Sequence, residues 1–116
     1  MKYYVASMSY SEVDSIKEFE SIESARSRYN FVSNSNNTSS ASLCEKIALK
    51  DIVEGQWTLL LCKSFIPEFG ITRNFYQACD GSYTQNELTE QYKELKAKTS
   101  DKEVIVCKVL NSTDYF

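Results

Sequence analysis

The chain has 116 residues and no histidine, and that gap removes more mechanisms than any motif in the sequence suggests. Ser-His-Asp and Cys-His nucleophile arrangements are excluded. So are His-bearing zinc sites and any switch built on a side chain that titrates near neutrality. Carboxylate, Lys, Tyr and Cys chemistry remains open, but spacing selects no pair among the 16 Asp plus Glu, so no catalytic residue is assigned and a non-enzyme is expected. Glycine and proline are almost as scarce. Gly55, Gly70 and Gly81 lie too far apart to form a phosphate-cradling loop, so a nucleotide would have to be gripped by side chains and helix N-termini.

Cys44, Cys62, Cys79 and Cys107 contain no C-x-x-C pair, which removes zinc knuckles and dithiol redox motifs; neither metal nor cofactor is expected. Cys62 and Cys107 fall inside the apolar runs 59–62 and 104–107, where a thiol acts as a small buried hydrophobe with a raised pKa. No apolar run is long enough to span a bilayer, and Met1-Lys2-Tyr3-Tyr4 lacks the basic-then-apolar shape of a secretion signal. A cytoplasmic protein without membrane contact is expected. On the same ground the sequons at Asn36, Asn37 and Asn111 are set aside.

What is present fits one soluble domain covering residues 1–116, at 42% hydrophobic and 25% charged residues. A chain of this size buries roughly two-thirds of its unfolded surface and needs no disulfide or metal staple. With 13 Lys plus Arg against 16 acids, the net charge of -3 argues against direct nucleic-acid binding.

Residues 2–10, rich in Tyr, Val and Met between small polar residues, suit a strand with two unlike faces. An acidic stretch from Glu12 to Glu23 follows, read as a solvated charged face. Ile22, Ala25, Tyr29 and Val32 then recur at helical spacing behind Ser21 as N-cap. The polar tract 33–40 reads as a flexible loop. Residues 43–55 fit either a helix, with Ser42 and Glu45 as a capping box, or a strand over 43–50 in which Leu43, Glu45, Ile47 and Leu49 alternate. The strand is preferred, because a helix there would be apolar almost all round.

Residues 56–64, with Trp57 and the run 59–62, read as a strand buried on both faces. The segment 65–81 is aromatic and irregular and has room for a further short strand. Thr84 as N-cap, Glu87 at N3 and a Tyr83–Leu88 staple open a second helix with Leu88, Tyr92 and Leu95 as its inner stripe and Lys93, Lys96 and Lys98 toward its end. Residues 103–110 close the domain as an apolar strand, leaving 111–116 as a tail.

Strand, helix, strand, strand, helix, strand is the order of a ferredoxin-like α+β fold with an antiparallel sheet, here with an aromatic insertion before the second helix. Two helices on one face leave a problem on the other. Leu59 and Leu61 point opposite to Leu60 and Cys62, and Val104 and Val106 opposite to Ile105, Cys107 and Val109, so both faces are apolar. Each such side chain left in water would cost about 1.5 to 3 kcal/mol. Three covers are available: the aromatic insertion folding back, a second copy forming a sheet-to-sheet homodimer, or a partner or ligand.

The candidate binding residues lie in and near that insertion: Trp57, Phe69, Arg73, Asn74 and Tyr76. An Arg beside aromatics can stack on a base or clamp a phosphate, and the same residues, if they merely close the core, do neither. The expected function is a non-catalytic binding protein that engages a macromolecular, most simply a protein, partner. The Asn, Ser, Lys and Tyr bias fits an AT-rich genome and makes a phage or mobile-element inhibitor of a host defence enzyme one concrete form of that reading. The alternative is a small-molecule binder that sequesters a nucleotide-like signal at a dimer interface through Arg73 and Tyr76.

Overall fold

In the computed structural model the first strand, β1 (Tyr3–Ser9), is followed at once by a second, β2 (Asp14–Phe19), that turns back along it. The remaining elements are α1 (Ile22–Ser33), β3 (Thr38–Lys46), a single 3-10 turn (Leu49–Asp51), β4 (Thr58–Ile66), β5 (Ile71–Cys79), α2 (Gln85–Lys98) and β6 (Lys102–Ser112). The structure describes residues 2–10, 14–53, 57–66, 71–79, 84–98 and 102–113, with the backbone alone at 14, 59, 62–66, 71–79, 98 and 102–103.

The fold is α+β, as expected, but its strand order is β2-β1-β3-β6-β4-β5, which departs from the ferredoxin-like arrangement. The departure has an identifiable cause. A split βαβ unit needs the strands on either side of a helix to run parallel with another strand between them. Here β2 reverses the chain before α1 begins, so β3 arrives antiparallel to β1 and pairs with it directly, from Tyr3↔Glu45 through Val5↔Leu43 to Ser7↔Ala41. Only the second half keeps the split arrangement, since β5 and β6 are both antiparallel to β4 and flank it.

Acidic residues hid β2. Ile16 is its buried anchor opposite Ala6, while Lys17 and Glu18 are exposed. Glu18 is nevertheless engaged: it accepts a 2.8 Å hydrogen bond from the Tyr4 hydroxyl and lies 3.1 Å from the Lys2 ammonium. The tract 33–40, expected as a loop throughout, already enters β3 at Thr38. Its Ser39 hydroxyl donates to the Met8 carbonyl at 3.0 Å. The strand reading of 43–50 holds as far as Lys46, after which the chain leaves the sheet for the 3-10 turn. The short strand allowed in the aromatic insertion is β5, nine residues long and paired with β4 from Thr58↔Cys79 to Ile66↔Ile71. The last strand runs past 110 to Ser112, so the tail begins later than expected.

Both helices pack on one face of the sheet. Ala25, Tyr29 and Val32 of α1 lie against Val5, Ala41 and Leu43, and Leu88 and Leu95 of α2 lie against Leu60, Val104 and Val106. The helix termini form as their residues dictate. The Ser21 hydroxyl accepts from the Ser24 amide at 3.1 Å, and Thr84 and Glu87 exchange reciprocal bonds of 3.2 and 3.3 Å. Tyr83, the expected staple, lies outside the described residues.

The opposite face carries a second apolar layer of Tyr4, Ala6, Ile16, Cys44, Leu61, Ile105, Cys107 and Val109, all buried, with Trp57 packed against it. The sheet curls, and its two edge strands β2 and β5 approach each other, so this layer sits inside the curve. These eight residues come from five strands and are buried within one chain. That removes the reason for which a sheet-to-sheet dimer was offered as one of three covers.

Candidate functional site

The site is a break in the pairing between two central strands. β3 accompanies β6 only as far as the pair Lys46↔Cys107; the chain then swings out through Ile47 and Ala48 to the 3-10 turn. That turn is tied to the first turn of α2, where the Gln85 side-chain amide donates to the Leu49 carbonyl at 2.8 Å. β6 meanwhile continues along β4 alone through Val106, Ile105 and Val104. A wedge opens between them, floored by Val104, Ile105 and Val106, walled on one side by residues 46–49 and on the other by Tyr92 and Lys96 of α2, with a volume of about 450 Å³. That volume is within the usual range for small-molecule sites.

The wedge also exposes a strand edge. The Ile47 amide donates to the Val106 carbonyl at 3.0 Å, which fixes that edge of β6 as the one facing the wedge. Backbone groups of residues two apart on a strand face the same way, so the Val104 amide and carbonyl turn to this edge as well. Among the described residues no strand runs along it before Cys107.

Its charge runs against that of the chain, whose net value is -3. Among the described residues neither Lys46 nor Lys96 has a carboxylate within ion-pair distance. The nearest acid in sequence to Lys46, Glu45, is committed to Lys108 across the strand pair at 3.5 Å, and Lys93 of α2 faces Glu90 at 4.0 Å. The Lys96 ammonium lies 5.8 Å from the centroid of the Tyr92 ring, a cation–π distance that holds it at the wall of the groove. The field of Lys46 extends inward far enough to oppose, weakly, the effect of burial on the Cys107 thiol.

Two nucleophile candidates are closed off by their surroundings. Burial pushes the Cys44 thiol up to about 12, and burial, reinforced by Cys44 beside it, pushes Cys107 higher still. Both thiols therefore stay protonated at neutral pH and pack as hydrophobes, as the apolar run around Cys107 suggested. No group of three metal-ligating side chains occurs among the described residues, and no helix there is long and apolar enough to cross a membrane.

Of the residues expected to form a site, Trp57 precedes β4 and Arg73, Asn74 and Tyr76 lie on β5. Trp57 is half-buried just before β4, where its carbonyl accepts the Val109 amide at 3.0 Å. Arg73, Asn74 and Tyr76 occupy β5 at the register positions of Ser64, Lys63 and Leu61. Arg73 is therefore level with Ser64, six positions along β4 from Thr58, or about 20 Å from the Trp57 end at strand spacing. Phe69 lies outside the described residues. The groove residues were legible only in part: Tyr92 and Lys96 are four apart, the spacing that places two side chains together on a helix, but they were assigned separately to the core stripe and to the helix dipole. Lys46 carried no signal, because its position depends on where β3 stops pairing.

No protein-family model, curated protein or solved structure matches this chain.

Proposed function

We propose that this chain is a non-catalytic binding protein and that its ligand is a small amphipathic anion held in the groove between β6, the β3 exit and α2. The single observation that carries this reading is the wedge of about 450 Å³ between β6, the β3 exit and α2, with Tyr92 and Lys96 of α2 on one wall. It keeps the nucleotide-like ligand considered from the sequence but moves it away from Arg73, Tyr76 and a dimer interface. A thermal-shift series against nucleotides, aromatic acids and acyl acids tests it. A ligand at a hundred times its Kd adds about 2.7 kcal/mol and raises the midpoint by several degrees, whereas a flat response across the series at millimolar concentration counts against the groove.

A second reading, a macromolecular partner, draws on α1. Phe31 is 69% exposed there, with the Arg28 guanidinium 5.6 Å from the ring centroid. Aromatic and Arg side chains dominate interface energetics. An inhibitor directed at a host defence enzyme is the form in which this is tested: the chain should inhibit such an enzyme in a purified assay, and Phe31→Ala with Arg28→Glu should abolish that effect without changing the fold.

A further inference from the structure

Resting on the reading of the wedge as an anion-binding groove, we propose that its ligand is a short extended peptide that adds as a strand to the open edge of β6 and sets a side-chain carboxylate beside Lys96. The edge supplies the main-chain half of the site. The Ile47 amide reaches the Val106 carbonyl, so the next hydrogen-bonding positions on this side of β6 fall at Val104 and then at Lys102. Ile105 and Cys107 face the other way and pair with Leu61 and Leu59 of β4. An antiparallel strand laid where β3 leaves off therefore exchanges two backbone bonds with Val104. Extended peptides bind sheet edges in this manner, with backbone bonds giving affinity and alternate side chains giving specificity.

The side chains constrain the peptide sequence. Val104 and Val106 lie on the face that carries α2. A residue paired with Val104 points to the same face, where Leu49, Tyr92 and Val104 line the wedge, so an apolar residue fits there. Only residues 99–101 separate α2 from Lys102, so Lys96, in the last turn of α2, lies toward the start of β6. The peptide residue two places further on pairs with Lys102, again on the α2 face, and an acidic residue suits it. Lys96 has no carboxylate within ion-pair distance among the described residues, so this contact breaks no existing pair. In the register of β3 the same two places belong to Leu49 and Asp51, an apolar and an acidic residue, which the chain commits instead to the 3-10 turn. Leu49 packs against the α2 cluster and its carbonyl accepts the Gln85 amide, so this segment is held away from the edge. A second copy would have to bring a whole sheet between residues 46–49 and α2, whereas a lone peptide strand brings none.

Calorimetric titration of the full chain with the blocked peptide acetyl-Thr-Thr-Ile-Thr-Glu-Thr-amide tests the assignment. Three relatives accompany it: one N-methylated at Ile, one N-methylated at the Thr that follows, and one with Gln in place of Glu. The Ile amide faces β6 and the next amide faces away, so the first methyl group should weaken binding at least about tenfold and the second by no more than about twofold. Gln for Glu in the peptide and Lys96→Gln in the protein should each weaken it about two- to fivefold, and together no more than either alone. Lys96 is exposed, so its variant should melt with the parent. On binding, hydrogen exchange should slow at the Val104 amide and stay unchanged at Ile105, which already pairs with β4. Equal effects of the two methyl groups overturn the peptide assignment, as does a Val104 amide protected in the free chain by a second copy or by residues 49–51. Absence of peptide binding at millimolar concentration also overturns it; the groove reading then stands if the thermal-shift series of small anions responds, and falls as well if that series is flat.

Discussion

Ser42 of β3 and Ser112 of β6 share a 3.0 Å hydrogen bond between their hydroxyls, with both residues buried, at 2% and 8% exposure. They are register partners just beyond the shift at Leu43 and Cys44, the irregularity that lets β6 follow the curl of β3. The chain continues this contact beyond the strand, where the Thr113 hydroxyl accepts the Ala41 amide at 3.0 Å. Removing either hydroxyl removes a hydrogen bond made between two buried groups. Ser42→Ala should therefore cost about 1 kcal/mol in urea unfolding, and Ser112→Ala a similar amount. The double variant should cost less than the two singles together, by about 0.5 kcal/mol or more, because each single already removes the one hydrogen bond that the two hydroxyls share. Strict additivity would show that the two side chains are not coupled.

Neighbouring residues of β4 report on the two faces of the sheet. Leu60 packs against α2, and Leu61 packs inside the curl, yet both are fully buried. Leu60→Ala and Leu61→Ala should each cost about 2 to 5 kcal/mol, the usual range for a leucine removed from a packed core. A sheet with one wet face would lose much less at one of the two positions. Equal, large losses from consecutive residues are thus the energetic signature of a sheet that covers its own second face, measured by chemical denaturation of the two variants.

The helices were the most legible elements because short-range chemistry specifies them: Ser21, Thr84 and Glu87 make their capping bonds within three residues of themselves. The apolar strands were legible too, and from Leu59–Cys62 and Val104–Cys107 it followed that both faces of the sheet need cover. What covers the second face was not legible, since curl depends on how β2 and β5 approach across the whole sheet. β2 escaped notice because only Ile16 marks its buried side, and its exposed residues, Lys17 and Glu18, look like an ordinary solvated run. That one omission also changes the topology, because a missed strand reverses every later chain direction. The groove was least legible of all: it forms where a pairing stops, which no local pattern of residues encodes.

The capping box of α2 bears on the groove as well as on stability. Thr84→Ala removes the hydroxyl that accepts the Glu87 amide and should cost about 1 kcal/mol. Gln85, the next residue, ties α2 to the Leu49 carbonyl on the facing wall. Gln85→Ala should thus lower global stability only slightly, by about 0.5 to 1.5 kcal/mol, the net worth of one ordinary hydrogen bond. Hydrogen exchange should show the loosening confined to residues 47–52 and the first turn of α2. Exchange that accelerates evenly over the whole sheet would mean that this bond has no special part in holding the wall.

Burial of the two interior thiols sets an alkaline limit on stability. Cys44 is raised from an ordinary 9.0 to about 12, and Cys107 is raised in the same sense. Below about pH 9 both states of the chain carry these protons, and the thiols add no pH dependence. Above it the unfolded chain releases protons that the native chain retains, so the unfolded state binds fewer and unfolding becomes easier as pH rises. For Cys44 the loss begins near 9.0 and continues to about 12, with a slope that approaches 1.4 kcal/mol per pH unit for each thiol. Urea unfolding at about pH 8, 9 and 10 should show stability falling across the series. Cys44→Ala and Cys107→Ala should each flatten that fall, whatever their effect on the level at pH 8, because lysines and tyrosines that titrate in the same range are common to all three proteins. Parallel pH profiles for parent and variants would place these thiols in contact with water.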